Sequence, residues 1–212
     1  MKISIRIRPS EYISNVFLVE KKTKNKKRMI LNLRKLNLNV TKQHFKMETL
    51  MQTLTLVTHG CFFLSFDFSD AYYSCAVFGP HRRYLRFQYD GKILEFTCLP
   101  NGLSSAPRFF TKIMKILLSE LRSKGITISG FLDDNLLINY VSAECMIEQG
   151  AIAAHEFQEK GLTINVPKSV IEPTQEIEHL GFVINSVLML VTLTPEKAQK
   201  IVDLIEDTSQ LR

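Results

Sequence analysis

The stretch ITISGFLDDNLLIN, residues 126–139, decides the fold. Two β-prone apolar runs, 126–132 and 136–139, flank Asp133, Asp134 and Asn135. Adjacent carboxylates between two greasy strands are poorly explained by packing. Acidic side chains are rarely buried without a partner, and like charges side by side repel. Taken alone, the pair reads as the solvated tip of a hairpin; its neighbours in the chain change that reading. Upstream, CFFLSFD (61–67) is an almost continuous apolar run that ends in a third carboxylate, Asp67. Such a run suits a strand buried on both faces, although periodicity alone does not separate it from a piece of buried helix.

Between these segments lies the strongest helix of the sequence, predicted over 105–121. Ser105 is placed to cap it, and Pro107 falls in the first turn, where its missing N–H costs little. Phe109, Phe110, Ile113, Met114, Leu117, Leu118 and Leu121 then recur at three and four, a single wide apolar stripe. A second helix is expected over 143–160, capped by Ser142 and closed by Gly161. The Asp90-Gly91 pair between YLRFQY and KILEFTCL marks a tight hairpin. With that hairpin set aside, the order from residue 61 is β-α-β-β-α-β, an α+β class with a split βαβ antiparallel sheet. In that topology the strand ending at Asp67 lies beside the hairpin carrying Asp133 and Asp134, so three carboxylates meet at one sheet edge.

Outside this block, SNVFLVE, KKTKNKK and MILNLR read as a strand, a basic turn and a strand. Residues 47–57 have the apolar spacing of a short helix stopped by Gly60. LTINVPKSVI, EHLGFVIN and LMLVTL add short strands, and Thr194-Pro195-Glu196 opens a last helix.

The 212 residues are 45% hydrophobic and 23% charged, too apolar for a disordered chain and ordinary for a folded one. The net charge of +6 is unevenly spread. Residues 1–50 carry 13 basic and 3 acidic side chains, whereas residues 140–212 carry 5 and 11. A basic N-terminal region points to a phosphate-bearing partner better than a uniformly solvated surface does. The four cysteines have no metal-ligand or disulfide spacing and fit a reducing compartment. The N-terminus has neither the apolar core nor the cleavage site of a signal peptide, so the expected location is intracellular, cytoplasmic or nuclear, and not secreted. The longest apolar run, 181–191, is far short of the roughly 18–20 residues a membrane span needs, so no membrane partner is expected.

Carboxylates brought together this way form a Mg²⁺ site unless something else neutralises them, and Mg²⁺ leaves room for substrate phosphates. Two such ions, roughly 3.5–4 Å apart, activate an attacking oxygen and stabilise a leaving one. Rival chemistries lack their signatures: the chain has no GxxxxGK[ST] loop, no GxGxxG, no GxSxG elbow and no HExxH.

These residues resemble the reverse transcriptase family, over roughly residues 14–192, and in flavour its retrotransposon polymerases of the DIRS type. SFDFSDAYYS is similar to the family's first catalytic block. The resemblance implies Asp67 as a catalytic metal ligand, the Phe68 carbonyl as a backbone ligand, and Asp70, Ala71 and Tyr72 against the incoming nucleotide. LPNGLSSAP resembles the second block and implies nucleotide contacts at Asn101 and Gly102. FLDD resembles the aromatic-x-Asp-Asp box, with Asp133 and Asp134 as metal ligands and Phe131 beside the primer and template, although Phe stands where Tyr is common. GLTINVPKS implies Lys168 on the pyrophosphate side, and HLGFVI implies a primer grip at Leu180, Gly181 and Phe182. VFLVEKK and RMILNLRKLN imply Lys21 and Arg28 as triphosphate ligands and Arg34 at the template.

The resemblance therefore implies right-hand polymerase fingers and palm. Residues 1–60 would be a basic fingers-like part. Residues 61–192 would be palm, with a fingers insertion around 80–110 and the primer-grip hairpin at 178–192, and residues 193–212 would begin a thumb or connecting helix. It implies an RNA-directed DNA polymerase (a nucleotidyltransferase) using Mg²⁺, with Mn²⁺ as a substitute. Its partners would be an RNA or DNA template with primer, deoxynucleoside triphosphates and the other domains of a longer retrotransposon polyprotein: thumb, RNase H and a tyrosine recombinase where one is present. Two other readings stay open on the residues alone: a catalytically silent remnant that binds nucleic acid or protein, and another palm-type or cyclase-like enzyme.

Overall fold

A computed structural model describes residues 3–5, 12–20 and 27–209. In chain order its elements are β1 (Ile3–Ile5), β2 (Val16–Glu20), β3 (Lys27–Leu31), α1 (Arg34–Asn37), α2 (Leu50–Leu54), β4 (Phe62–Asp67), β5 (Arg86–Tyr89), β6 (Lys92–Phe96), α3 (Ala106–Ser123), β7 (Thr127–Phe131), β8 (Asp134–Asn139), α4 (Ala143–Glu159), β9 (Val170–Thr174), β10 (Glu176–His179), β11 (Phe182–Asn185), β12 (Leu190–Leu193) and α5 (Pro195–Ser209). Helices and strands are mixed in an α+β arrangement. Among the described residues no helix is long and apolar enough to cross a membrane.

The chain forms two compact units, each assembled from two separated stretches. One unit comprises Met1–Lys46 and Asp70–Met114. In it β2 and β3 form an antiparallel hairpin whose basic turn lies outside the described residues. The strands β1, β6 and β5 form a second antiparallel sheet. Asp90 and Gly91 take φ of 49° and 68°, the left-handed pair that the tight β5–β6 turn requires. Leu31, Leu33, Leu85, Phe87, Phe96 and Cys98 make this unit's core.

The other unit comprises Met47–Ser69 and Lys115–Arg212. Its central sheet has the order β7-β8-β4-β9, with every neighbouring pair antiparallel. The period of two along a strand divides this sheet cleanly. Leu64 and Phe66 of β4 face α4: a Cβ on Gly150 would lie 2.5 Å from Leu64, and the Phe66 ring meets Phe157 edge-on at 6.0 Å. Gly130 of β7 lies on the same face under Leu118 of α3, where a Cβ would come within 2.5 Å of the leucine. On the opposite face Phe63, Leu136 and Ile138 pack with Cys61, Ile177 and Ile184 beneath the flank of α2. The apolar run at 61–67 is thus a strand buried on both faces, as its composition predicts.

Four local expectations change. LTINVPKSVI is not one strand but a 3-10 turn at Val166–Lys168 that leads into β9. The carboxylate-bearing turn is not Asp133-Asp134-Asn135 but Leu132-Asp133; Asp134 and Asn135 already belong to β8. Leu132 accepts a left-handed φ of 56°, and buried Asn135 donates its side-chain amide to the Asp133 carbonyl at 3.1 Å, which closes the turn one residue early. The helix predicted over 47–57 shrinks to α2, because Thr49 and Gln52 form a reciprocal capping box that starts it late. EHLGFVIN is not one strand but the paired β10 and β11, joined through Leu180 and Gly181 at φ of 51° and 75°.

His179 of β10 is buried, with Nε2 unpartnered, and burial pushes its pKa from 6.5 down to about 4. The imidazole is therefore neutral in the fold, while the unfolded chain takes up a proton below about 6.5. Its contribution to stability is intact above that pH and is lost as the pH falls toward 4, by about 2 kcal/mol at pH 5. Thermal unfolding at pH 7.5 and pH 5 should show a smaller fall for His179→Phe than for the parent chain. Equal falls would mean that the imidazole is not held neutral.

Candidate active site

The register of the central sheet places Asp67, the last residue of β4, directly opposite Asp134, the first of β8. Phe66 faces Asn135 and Phe131 faces Asp134, so Asp67, Asp134 and Phe131 share the sheet face opposite the one that carries α3 and α4. Asp133 is exposed on the turn beside them. Burial raises the Asp134 pKa from 3.8 to about 6, helped by the negative charges of Asp133 and Asp67 and opposed by Lys168. The structure thus brings together the three acidic residues singled out from the sequence, together with Lys168, which stands on the 3-10 turn Val166–Lys168.

Asp67 is held from several sides. Its backbone N–H donates to Ser169 Oγ at 3.1 Å, and its carbonyl accepts from the Asn165 N–H at 2.8 Å. Its carboxylate Oδ1 accepts from Asn165 Nδ2 at 3.0 Å. Asn165 and Ser169 lie inside the GLTINVPKS stretch, but a single amide or hydroxyl gives no sequence signal for a partner about a hundred residues away. Phe68 follows with its ring buried against Phe157 at 4.9 Å and its backbone bridged to Ile164.

The oxygen donors of Asp67, Asp133 and Asp134 match a hard divalent cation in kind. Burial first, and then the negative charges of Asp133 and Asp67, disfavour the ionised form of Asp134. Among the described residues, no group of three or more His, Cys, Asp or Glu side chains is already gathered closely enough to hold a metal ion.

In the same unit, the β10–β11 turn carries Leu180, Gly181 and Phe182. Lys197 of α5 braces it, with Nζ 3.6 Å from the centre of the Phe182 ring and donating to the Leu180 carbonyl at 3.4 Å. A Cβ on Gly181 would lie 3.0 Å from the Lys197 stem.

The other unit gathers most of the residues expected at a nucleotide. Asp70, at φ 50°, opens the 3-10 turn Ala71–Ser74. Ala71 is buried, and the Tyr72 ring meets Phe110 edge-on at 5.5 Å. The next residue, Tyr73, ties the group together. Burial raises its pKa, Asn101 Nδ2 donates to its hydroxyl at 2.9 Å, and the charges of Asp70 and Arg28 both act on it. Gly102 sits at φ 101°, and a Cβ there would fall 2.8 Å from the Leu31 carbonyl, so the loop needs glycine for close approach as well as for its conformation. Asn37 Nδ2 donates to the Gly102 carbonyl at 2.9 Å, and its Oδ1 accepts from the Ser104 N–H. Tyr73 and Asn37 escape sequence reading because each acts through a long-range hydrogen bond. Arg34 is exposed at the start of α1, and Lys21 lies outside the described residues.

Residues 19–184 match the family description "Reverse transcriptase (RNA-dependent DNA polymerase)". Among curated proteins, the chain is 27% identical over 207 residues to the enzymatic polyprotein of Soybean chlorotic mottle virus, covering 96% of this chain and 29% of that protein. It is 23% identical over 165 residues to the Transposon Tf2-3 polyprotein of Schizosaccharomyces pombe, covering 70% of this chain and 12% of that one. The chain therefore spans less than a third of the length of these relatives. Among solved structures, the foamy viral protease-reverse transcriptase dRH in complex with double-stranded DNA superposes with a TM-score of 0.80 at 22% identity, covering 94% of this chain and 33% of that one. The same viral protein in complex with an RNA/DNA hybrid gives 0.71 at 22% identity, covering 89% and 24%. At those identities the structures establish the fold. With the family description matched over well more than half of its length, the chain belongs to the reverse transcriptase (RNA-dependent DNA polymerase) family.

Proposed function

We propose that the chain is the fingers and palm of an RNA-directed DNA polymerase, part of a longer retrotransposon-type polyprotein, that joins deoxynucleotides to a primer 3′-hydroxyl. The observation that carries this reading is the cross-strand placement of Asp67 against Asp134, with Asp133 on the adjoining turn and Lys168 close by. Asp67, Asp133 and Asp134 would hold two Mg²⁺ ions, with the Phe68 carbonyl as a further ligand. When bound, the ions supply charge neutralisation and activation of the primer oxygen. Lys21 and Arg28 bind the β- and γ-phosphates, and Tyr72, with Asp70, Ala71, Asn101 and Gly102, seats the nucleotide. Leu180, Gly181 and Phe182 support the primer end, Phe131 and Arg34 contact primer and template, and Lys168 faces the departing pyrophosphate. The nucleic acids bound by the structurally similar viral protein support a primed RNA or DNA template as partner. The narrower affinity with DIRS-like elements rests on the sequence motifs alone.

Extension of a primed RNA template by this chain with Mg²⁺ tests the assignment. Asp67→Asn, and the double change Asp133→Asn with Asp134→Asn, should each lower the rate by at least about 100-fold. Extension equal to that of the parent chain would sink the shared-metal reading. Arg28→Ala should act differently, raising the nucleotide KM about tenfold or more while leaving affinity for the primed template unchanged.

The raised pKa of Asp134 adds a stability test. A group whose pKa is higher in the fold than in the unfolded chain stabilises the fold below about 3.8, and that contribution is lost as the pH rises through about 6. Without divalent cations at pH 7.5, Asp134→Asn should therefore be more stable than the parent by roughly 1–3 kcal/mol, allowing for partial exposure. Denaturant unfolding at pH 7.5 and pH 4 checks this. A gain that persists unchanged at pH 4 would place its origin elsewhere.

A further inference from the structure

The edge of β7 is sealed by side chains instead of a neighbouring strand. Among the described residues β7 is an outer strand, paired only with β8. An outer strand leaves every second N–H and C=O without a ladder partner. Glu48, which precedes α2, accepts the Gly130 N–H on Oε2 at 2.9 Å and the Ser129 hydroxyl on the same oxygen at 3.0 Å. Its Oε1 accepts from Arg122 Nη2 at 2.6 Å. Arg122, near the end of α3, also donates to the Ile128 carbonyl through Nε at 3.0 Å and Nη2 at 2.6 Å. One ion pair thus satisfies an acceptor and a donor two residues apart on the same edge, as a partner strand would. Thr53 of α2 locks the arrangement from behind, with its hydroxyl 2.7 Å from that of Ser129 in a buried contact.

This clamp grips the hairpin that carries Asp133 and Asp134, at residues three to five positions before Asp133. On the opposite side of β7, Leu118 packs where a Cβ on Gly130 would be, so the strand is held between a side-chain latch and a helix. The Asp133 turn itself contains Leu132 in a left-handed conformation that leucine does not favour. A strained turn at the end of an outer strand keeps its position only if the strand beneath it is fixed.

We infer that Glu48, with Arg122, is a positioning residue for the carboxylate hairpin, acting through the Gly130 amide and not through substrate. The inference rests on the polymerase reading for its effect on rate, but not for its effect on the hairpin. The residue has to reach the amide, so side-chain length matters more than charge. Glu48→Gln keeps an acceptor oxygen at the same reach, whereas Glu48→Asp keeps the charge for Arg122 but is one methylene too short for Gly130.

Primer extension and amide hydrogen exchange on the full chain decide the matter. Glu48→Asp and Glu48→Ala should lower kcat by about 10- to 100-fold, with the nucleotide KM within about threefold of the parent. Glu48→Gln should retain most of kcat. Exchange at Gly130 should quicken at least tenfold in the Asp and Ala variants and stay near the parent value in the Gln variant. A Glu48→Asp chain at least as active and as protected at Gly130 as Glu48→Gln would overturn the inference, since the pair would then matter only as charge. If Glu48→Ala does not fold, the comparison of Gln with Asp still decides. If the parent chain extends no primer, the polymerase reading fails on its own, and the exchange pattern at Gly130 still separates a length-dependent latch from a simple ion pair. An open cleft of about 500 Å³, lined by Glu48, Gln52, Arg122 and Ser129, gives a further check. Added formate or acetate should restore part of the activity and of the Gly130 protection lost in Glu48→Ala, and no restoration at concentrations the fold tolerates would count against a carboxylate acting at this amide.

Discussion

Asp67 and Asp134 stand opposite each other across two strands whose remaining residues are mostly apolar. Like charges facing each other across a strand pair destabilise it, and partial burial makes the repulsion stronger. The opposing stabilisation comes from the same two strands. Phe63, Leu64, Leu136, Leu137 and Ile138 are each no more than 2% exposed, and full burial of one such side chain contributes on the order of 1.5–3 kcal/mol. A handful of them outweighs a carboxylate pair that costs a few kcal/mol. The register therefore belongs to the hydrophobic positions, and the carboxylates are carried along to the end of the ladder.

The two faces of the central sheet divide the work. Helices α3 and α4 cover one face, and their close approach depends on small residues: Gly130 under Leu118, and Gly150 against Leu64. The other face is packed by α2 and the β10–β11 pair only as far as Leu136, beyond which Asp134 and Asp67 emerge. Because side chains alternate, a slip of one residue in β4 against β8 would turn Phe63 and Asp67 toward the helices and leave both faces wrong. The alternation that builds the core and the alternation that gathers the acidic groups are one constraint.

This explains which parts were legible in the sequence. CFFLSFD and the stripe from Phe109 to Leu121 are legible as a strand and a helix, and β4 and α3 form there, with Phe110, Met114, Leu118 and Leu121 buried while Phe109 and Ile113 stay exposed. The Asp90-Gly91 turn was readable because glycine is where the left-handed angle falls. The Leu132-Asp133 turn was not: leucine carries no turn signal, and the visible run of polar residues drew the boundary too late. The residues that position others, such as Asn165 on Asp67, Asn37 on Gly102 and Glu48 on Gly130, use common polar side chains at long range. Asn165 and Asn37 fall inside stretches that the sequence singles out, but nothing in the residue type marks which distant group each one holds.

Leu132 and Leu180 share an unusual feature that ties these observations together. Each begins a two-residue hairpin turn at a positive φ, where a non-glycine residue costs about 1–2 kcal/mol. Each turn is also braced by side chains that do not belong to the turn. Behind Leu132 lie the Asn135 amide on the Asp133 carbonyl and the Glu48–Arg122 latch on β7. At Leu180, Lys197 reaches both the turn carbonyl and the Phe182 ring. Strain persists where surrounding contacts over-determine the backbone, and here those contacts come from Asn135 of β8, Glu48 before α2, Arg122 of α3 and Lys197 of α5. A turn relaxed by glycine would be more flexible, and the groups it carries would sample more positions. Bracing side chains instead hold Leu132-Asp133 and Leu180-Gly181 each in one conformation. Leucine at these two positions, with bracing residues drawn from distant parts of the chain, is therefore consistent with turns selected for fixed geometry at some expense of local stability.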